Sequence, residues 1–284
     1  MKSTKRKIDI LVISDVHLGT YGCHGKELLQ YLKSIKPKTV ILNGDIIDIW
    51  QFSKNYWPKS HMKIIKHLFT WIGKGVKTYY ITGNHDEMLR RFSGMKTGSF
   101  SIVNKLVLQL PDYKKVWIFH GDVFDITMQH SKWLAKLGAV GYDTLILINR
   151  LFNFISERVF KKGKISLSKK IKDSVKSAVK FINNFEQISA DIGISNGFDY
   201  VVCGHIHQPE IKEITNRHGK ITYLNSGDWV ENLTALEYND GEWKLVRFKD
   251  LIFDDPIIHD DYEGDLTNKE IFNNLLEEFN LMRI

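Results

Sequence analysis

Cysteine is scarce. The 284-residue chain holds two, Cys23 and Cys203. Two thiols so far apart give no disulfide framework and no zinc-finger spacing, which points to a reducing compartment. No stretch has the unbroken apolar length of a membrane span. The opening "MKSTKRKIDILVISDVH" starts like a secretory signal. Its apolar run is short, carries Asp9 and leads directly into Asp15 and His17. It therefore reads as a basic tail before a first strand, and the expected location is the cytoplasm. Internal repeats and low-complexity linkers are also missing.

What is present suits a globular protein: 43% hydrophobic and 26% charged residues, enough for one large domain or one domain with a cap. The net charge of +7 is concentrated. Residues 161–180, "KKGKISLSKKIKDSVKSAVK", hold eight lysines and one acid, and removing them from the 40 basic and 33 acidic residues leaves 32 of each. This run reads either as a solvated helix face or as a contact for anionic phospholipid or substrate phosphates. Lys169, Lys170, Lys172 and Lys176 are its candidate contacts, and the second reading implies peripheral attachment to the inner membrane. The run lacks the interleaved aromatics of a single-strand platform, so nucleic acid is not an expected partner.

Periodicity predicts strands at 8–14, 39–45, 77–84, 115–122 and 198–207, with helices at 26–35 and about 60–73 between them. Alternating strands and helices argue for an α/β core. After residue 209 two hairpins follow, the second turning on Asn239-Asp240-Gly241. Residues 123–197 fit neither pattern. They read as helices (133–160 and 166–189), the second with an apolar stripe of Ile171, Val175, Ala178, Ile182 and Phe185. The expected organisation is a core of 1–122 and 198–250, a helical cap insertion at 123–197, and a tail at 251–284 carrying one amphipathic helix.

The strands end alike. "YYITGNHDEM" (79–88) passes from an apolar run into Gly83, Asn84, His85 and Asp86. By itself that is good turn chemistry. Yet Asp15-x-His17, Gly44-Asp45, His120-Gly121-Asp122 and Gly204-His205-x-His207 also follow apolar runs. Five strands ending on His or Asp point to a site at the carboxyl edge of a sheet. In the two x-spaced pairs, strand alternation is expected to turn both side chains to one face. Hard oxygen and imidazole donors suit a two-metal phosphoesterase, with one carboxylate bridging the ions.

D-x-H, G-D, G-N-H-D, H-G-D and G-H-x-H, in this order, resemble the calcineurin-like metallophosphoesterases over roughly residues 8–230 apart from the insertion. The resemblance implies a sandwich of two mixed β-sheets flanked by helices. It implies one metal on Asp15, His17 and His207, a second on Asn84, His120 and His205, and Asp45 bridging them. It implies that His85 faces the substrate and that Asp86 orients His85. The ions are expected to be divalent, manganese first, with iron, zinc or nickel as alternatives.

"NGDIIDIW" (43–50) and "SGDW" (226–229) further resemble the UDP-2,3-diacylglucosamine hydrolases of lipid A synthesis, which carry a helical insertion after H-G-D. The implied substrate is a phosphorylated, nucleotide-sugar lipid cleaved at its pyrophosphate. The chain departs from that family's usual arginine at His85, which bears on the substrate rather than on the phosphoester chemistry. A nuclease or soluble-nucleotide phosphodiesterase, or a binding module without metals, are the other readings. Asp48 and Trp50 are either core-edge residues or support for Asp45. His24, His61, His67, His130, His218 and His259 fall outside the motifs and carry no assignment.

Overall fold

The computed structural model describes residues 5–50, 56–124 and 169–253, with side chains from residue 181 onward in the last stretch. Two mixed sheets form the body. The first runs β12-β11-β1-β2-β3-β5-β4, and the second β6-β7-β8-β10-β9. In the first, β1 (Arg6–Ile13), β2 (Ile35–Asn43), β3 (Lys77–Ile81) and β5 (Phe100–Val103) are parallel. β4 (Lys96–Thr97) and β11 (Thr234–Asn239) run against them, and β12 (Glu242–Arg247) pairs antiparallel with β11 at the edge. In the second, β7 (Lys115–Ile118), β8 (Tyr200–Cys203) and β10 (Gly219–Asn225) are parallel, while β6 (Leu106–Gln109) and β9 (Glu210–Asn216) run against them.

Alternation along β1 shows how the layers are held. Leu11 and Ile13 pack with Leu28, Leu32, Ile64 and Leu68, which come from α1 (Gly25–Ser34) and α2 (Lys59–Gly73). Ile10 and Val12 face the other way, onto Val116, Ile118, Val202 and Leu224 of the second sheet. A strand covered on both faces needs this unbroken apolar run, and each buried side chain contributes about 1.5–3 kcal/mol. The far face of the second sheet packs Val201, Cys203, Ile221 and Tyr223 against Phe185 and Ala190 of α3 (Lys169–Ser195). The order is helices, sheet, sheet, helix.

Several expectations shift. The strands stop two to four residues short of their predicted ends, at Asn43, Ile81, Ile118 and Cys203, so the motif residues stand on loops. The region of β4, β5 and β6 had no sequence signal, because strands of two to four residues are too short to show alternation. The two hairpins are present but belong to different sheets: β9–β10 joins the second and β11–β12 the first. The cap's expected boundaries fall inside the packed body, since Phe124 and Phe185 are buried against Phe119. The predicted helix at 133–160 and the tail helix lie outside the described residues. Lys169, Lys170, Lys172 and Lys176 lie on α3, where only the backbone is described.

Candidate metal centre

The carboxyl ends of β1, β2, β3, β7 and β8 meet at one edge of the two sheets, and the five motif loops converge there. Asp15, His17 and His207 present ligand atoms within 4.8 Å of one another, and so do Asp45, His120 and His205. The first is an expected group; the second joins Asp45, expected as a bridge, to two residues of the other expected group, whose third member was Asn84. Asp15 Oδ1 is 3.2 Å from His207 Nε2, and Asp45 Oδ2 is 3.2 Å from His120 Nε2. Asp15 Oδ2 accepts the His205 N–H at 3.1 Å, which ties the first group to the second.

The pairs Asp15-x-His17 and His205-x-His207 do not face one way by strand alternation. Asp15, His17, Asp45, His205 and His207 all have left-handed backbone, with φ between 50° and 66°. Tight turns, not pleats, aim these side chains. Neighbouring glycines make room. A Cβ on Gly83 would lie 2.2 Å from Asp45 Oδ1 and 2.8 Å from His120 Nε2. A Cβ on Gly44, itself at φ +81°, would strike the His120 ring at 2.3 Å. The motif glycines are thus required by the ligands packed against them.

Hydrogen bonds select which nitrogen each histidine presents. His120 Nδ1–H donates to the Asn43 carbonyl at 2.8 Å, and His17 Nδ1–H donates to Asp48 Oδ2 at 3.0 Å. Both leave Nε2 as the lone pair, the usual support for a metal-bound imidazole. Asp15 Oδ1, His17 Nε2, Asn84 Oδ1 and His120 Nε2 are all buried without a hydrogen-bond partner. Leaving such atoms unsatisfied costs about 1–3 kcal/mol each. All four belong to the expected ligand set, and the two expected cations would answer two each.

The field of the site agrees. Burial alone would raise the pKa of Asp15, but the charges of His207 and His120 hold it below its ordinary value. Burial likewise opposes ionisation of Asp45, and His120 and His17 overcome it. Burial would lower the His207 pKa, yet Asp15 pushes it up to about 9. Two buried carboxylates that hold protons on their histidines will exchange those protons for a cation.

Asp86 does not orient His85. One of its oxygens accepts the Gly83 N–H at 2.6 Å, and the other accepts the Ile46 N–H at 3.0 Å and the Tyr80 hydroxyl at 2.6 Å. Its carboxylate is consumed in fixing the loop. Asp48 takes the role instead: its Oδ2 lies 2.8 Å from His85 Nδ1 as well as accepting from His17. Asp48 therefore supports His17 and His85, not Asp45. His17, Asp48 and His85 also meet the spacing of a metal group, but the Asp48 oxygen is already engaged by His17 Nδ1 and paired with His85 Nδ1. His85 N–H donates to Asp45 Oδ1 at 2.8 Å, and the half-exposed Trp50 ring lies 4.9 Å from the His85 ring.

Two supports had little sequence signal. Asp122 of the H-G-D motif pairs with Arg90 at 2.7 Å, pinning the turn after His85. Trp229 N–H donates to the Asp15 carbonyl at 3.0 Å, so the G-D-W loop clasps the first motif through its backbone.

The chain is similar to known proteins over most of its length. A family model described as calcineurin-like phosphoesterase matches residues 8–209. A UDP-2,3-diacylglucosamine hydrolase from Blochmanniella pennsylvanica is 27% identical over 241 residues, covering 82% of this chain and 93% of its own. Another of that name from Aliivibrio fischeri is 26% identical, covering 84% and 98%. A dimetal phosphatase from Danio rerio aligns over 84% of this chain and 95% of its own at 12% identity, with a TM-score of 0.41.

Proposed function

Because this chain belongs to the calcineurin-like phosphoesterases, and is thereby a hydrolase of phosphoester or pyrophosphate bonds, we propose that it cleaves a nucleotide-sugar lipid of the UDP-2,3-diacylglucosamine type. Water enters at the pyrophosphate, and UMP and a lipid phosphate leave. One observation carries this reading: the relatives bearing that name match over 93–98% of their own length.

Asp15, His17 and His207 would hold one divalent ion, Asn84, His120 and His205 the other, with Asp45 between them. Mixed oxygen and imidazole donors suit manganese, iron, zinc or nickel, and metal availability decides among them. When bound, such ions neutralise charge on the phosphoryl oxygens and lower the pKa of water.

The chain's own residues supply the rest. Asp48 fixes the His85 ring through Nδ1. Burial would lower the His85 pKa, but the Asp48 contact and the Asp45 charge raise it above the ordinary value. A protonated His85 can then present Nε2–H to the phosphoryl group and give its proton to the leaving oxygen. Trp50, against His85, offers an apolar wall beside the reacting bond.

The lysines of α3 support a second part of the proposal, reversible contact with an anionic bilayer from which the lipid is drawn. Among the described residues no helix is long and apolar enough to cross a membrane. The test is product analysis with UDP-2,3-diacylglucosamine beside UDP-N-acetylglucosamine. The lipid should release UMP and lipid phosphate much faster. Equal rates would favour a soluble-nucleotide phosphodiesterase. Changing Lys169, Lys170, Lys172 and Lys176 to Glu should weaken binding to anionic liposomes and slow only the lipid reaction. Unchanged liposome binding would reduce the run to a solvated face.

A further inference from the structure

The loop "SGDWVEN" (226–232) joins β10 to β11 and is more ordered by hydrogen bonds than a connection requires. Asp228 is fully buried, and its Oδ1 accepts the N–H groups of Val230 at 2.8 Å, Glu231 at 2.5 Å and Asn232 at 3.2 Å. Asn232 Nδ2 donates to Asp228 Oδ2 at 2.5 Å. The same Nδ2 donates to the His207 carbonyl at 2.9 Å. Ser14 Oγ–H donates to the Gly227 carbonyl at 2.9 Å, and Trp229 N–H holds the Asp15 carbonyl at 3.0 Å.

The loop therefore grips the backbone of two residues, Asp15 and His207, and both fall in one ligand group. His207 has left-handed backbone, so its carbonyl must be held for its ring to stay 3.2 Å from Asp15 Oδ1. Asn232 is the side chain that holds it. The other group is anchored elsewhere: His120 by the Asn43 carbonyl, and Asp45 by the His85 N–H.

We infer that Asn232 is a positioning residue for one of the two metal positions, that of Asp15, His17 and His207, and that it sets the affinity of that position without touching an ion. Anchored to the buried Asp228, the Asn232 amide fixes the peptide that aims the His207 ring. Loss of the amide lets the His207 carbonyl rotate and the ring swing from Asp15. This inference rests on the two-ion reading above.

The experiment is metal binding to metal-free protein, read by equilibrium dialysis and by the Mn²⁺ paramagnetic resonance signal, beside melting of the metal-free form. The wild-type chain should bind two equivalents with the signal of a spin-coupled pair. Asn232→Ala should keep one equivalent near its wild-type affinity and weaken the other about 10–100-fold, the usual cost of losing an outer support. Its signal should become that of isolated ions, while its metal-free form should still unfold cooperatively, at a melting temperature lower by several degrees. If that variant does not fold, Asn232→Asp, equal in size but without the donor, carries the same expectation. Adding Asn232→Ala to Asn84→Ala, which impairs the opposite position, should weaken the remaining equivalent too. Equal weakening of both equivalents in folded Asn232 variants, no weakening at all, or an unaffected equivalent in the double variant would overturn the inference. A wild-type chain binding fewer than two equivalents would instead sink the two-ion reading, and the inference with it.

Discussion

Left-handed backbone recurs among the described residues, and two of its settings differ in kind. At the β11–β12 hairpin, Asp240 and Gly241 take φ of 52° and 86° on an exposed two-residue turn. At the strand-end loops, Asp15, His17, Asp45, His205 and His207 take the same conformation around the metal centre. A non-glycine residue there carries about 1–3 kcal/mol of strain. In the hairpin, that backbone suits the twist of the two strands, and the side chain is incidental. At the centre, the strain is held by specific bonds, and the side chain is the reason for it. The same dihedral angle thus marks an interchangeable residue in one place and an irreplaceable one in the other.

The sharpest way to break this comparison is to make one substitution in both settings. Asp45→Gly relieves the strain but removes the carboxylate that groups with His120 and His205 and that we propose bridges the two ions. Bound metal should fall by more than the roughly 100-fold that loss of an outer support costs at most, and turnover should vanish. Two equivalents of metal by elemental analysis, with normal rates, would end the assignment of Asp45. Next in size is His85. His85→Ala should leave metal content intact and slow turnover about 10²–10⁴-fold, the range for general acid help. Asp48→Asn should do both, slowing turnover and weakening metal, because its carboxylate serves His85 and His17 together; a variant that changes neither measurement contradicts the shared contact. Smallest is Asp240→Gly, which should shift denaturation free energy by no more than about 0.5 kcal/mol and leave kinetics alone.

The order of the motifs made the clustering of Asp15, His17, Asp45, His120, His205 and His207 legible in the sequence. His120, His205, Asp15 and Asp45 each end an apolar run, and buried runs are what a two-sided sheet requires. The orienting partners were not legible. Asp86 adjoins His85 in sequence, but a carboxylate three residues past Gly83 closes its own turn. Asp48 reaches His85 only because the β2 loop and the β3 loop lie side by side, as the Ile49 N–H bond to the His85 carbonyl shows. Adjacency in sequence favours the near acid, and the packing of two parallel strands favours the far one. The short strands β4 to β6 were hidden for a different reason: they sit toward sheet edges, where few side chains need burial to hold their place.

The clasp between the G-D-W loop and the first motif also bears on how the molecule is made. Asp15 leaves the ribosome long before its partners: its carbonyl waits for Trp229 and its carboxylate for the backbone of His205, 190 positions later. Contacts of such span are slow to form and come after local ones. The parallel strands β1, β2 and β3 can pair early, but the first motif gains its clasp only when the β10–β11 turn has been made.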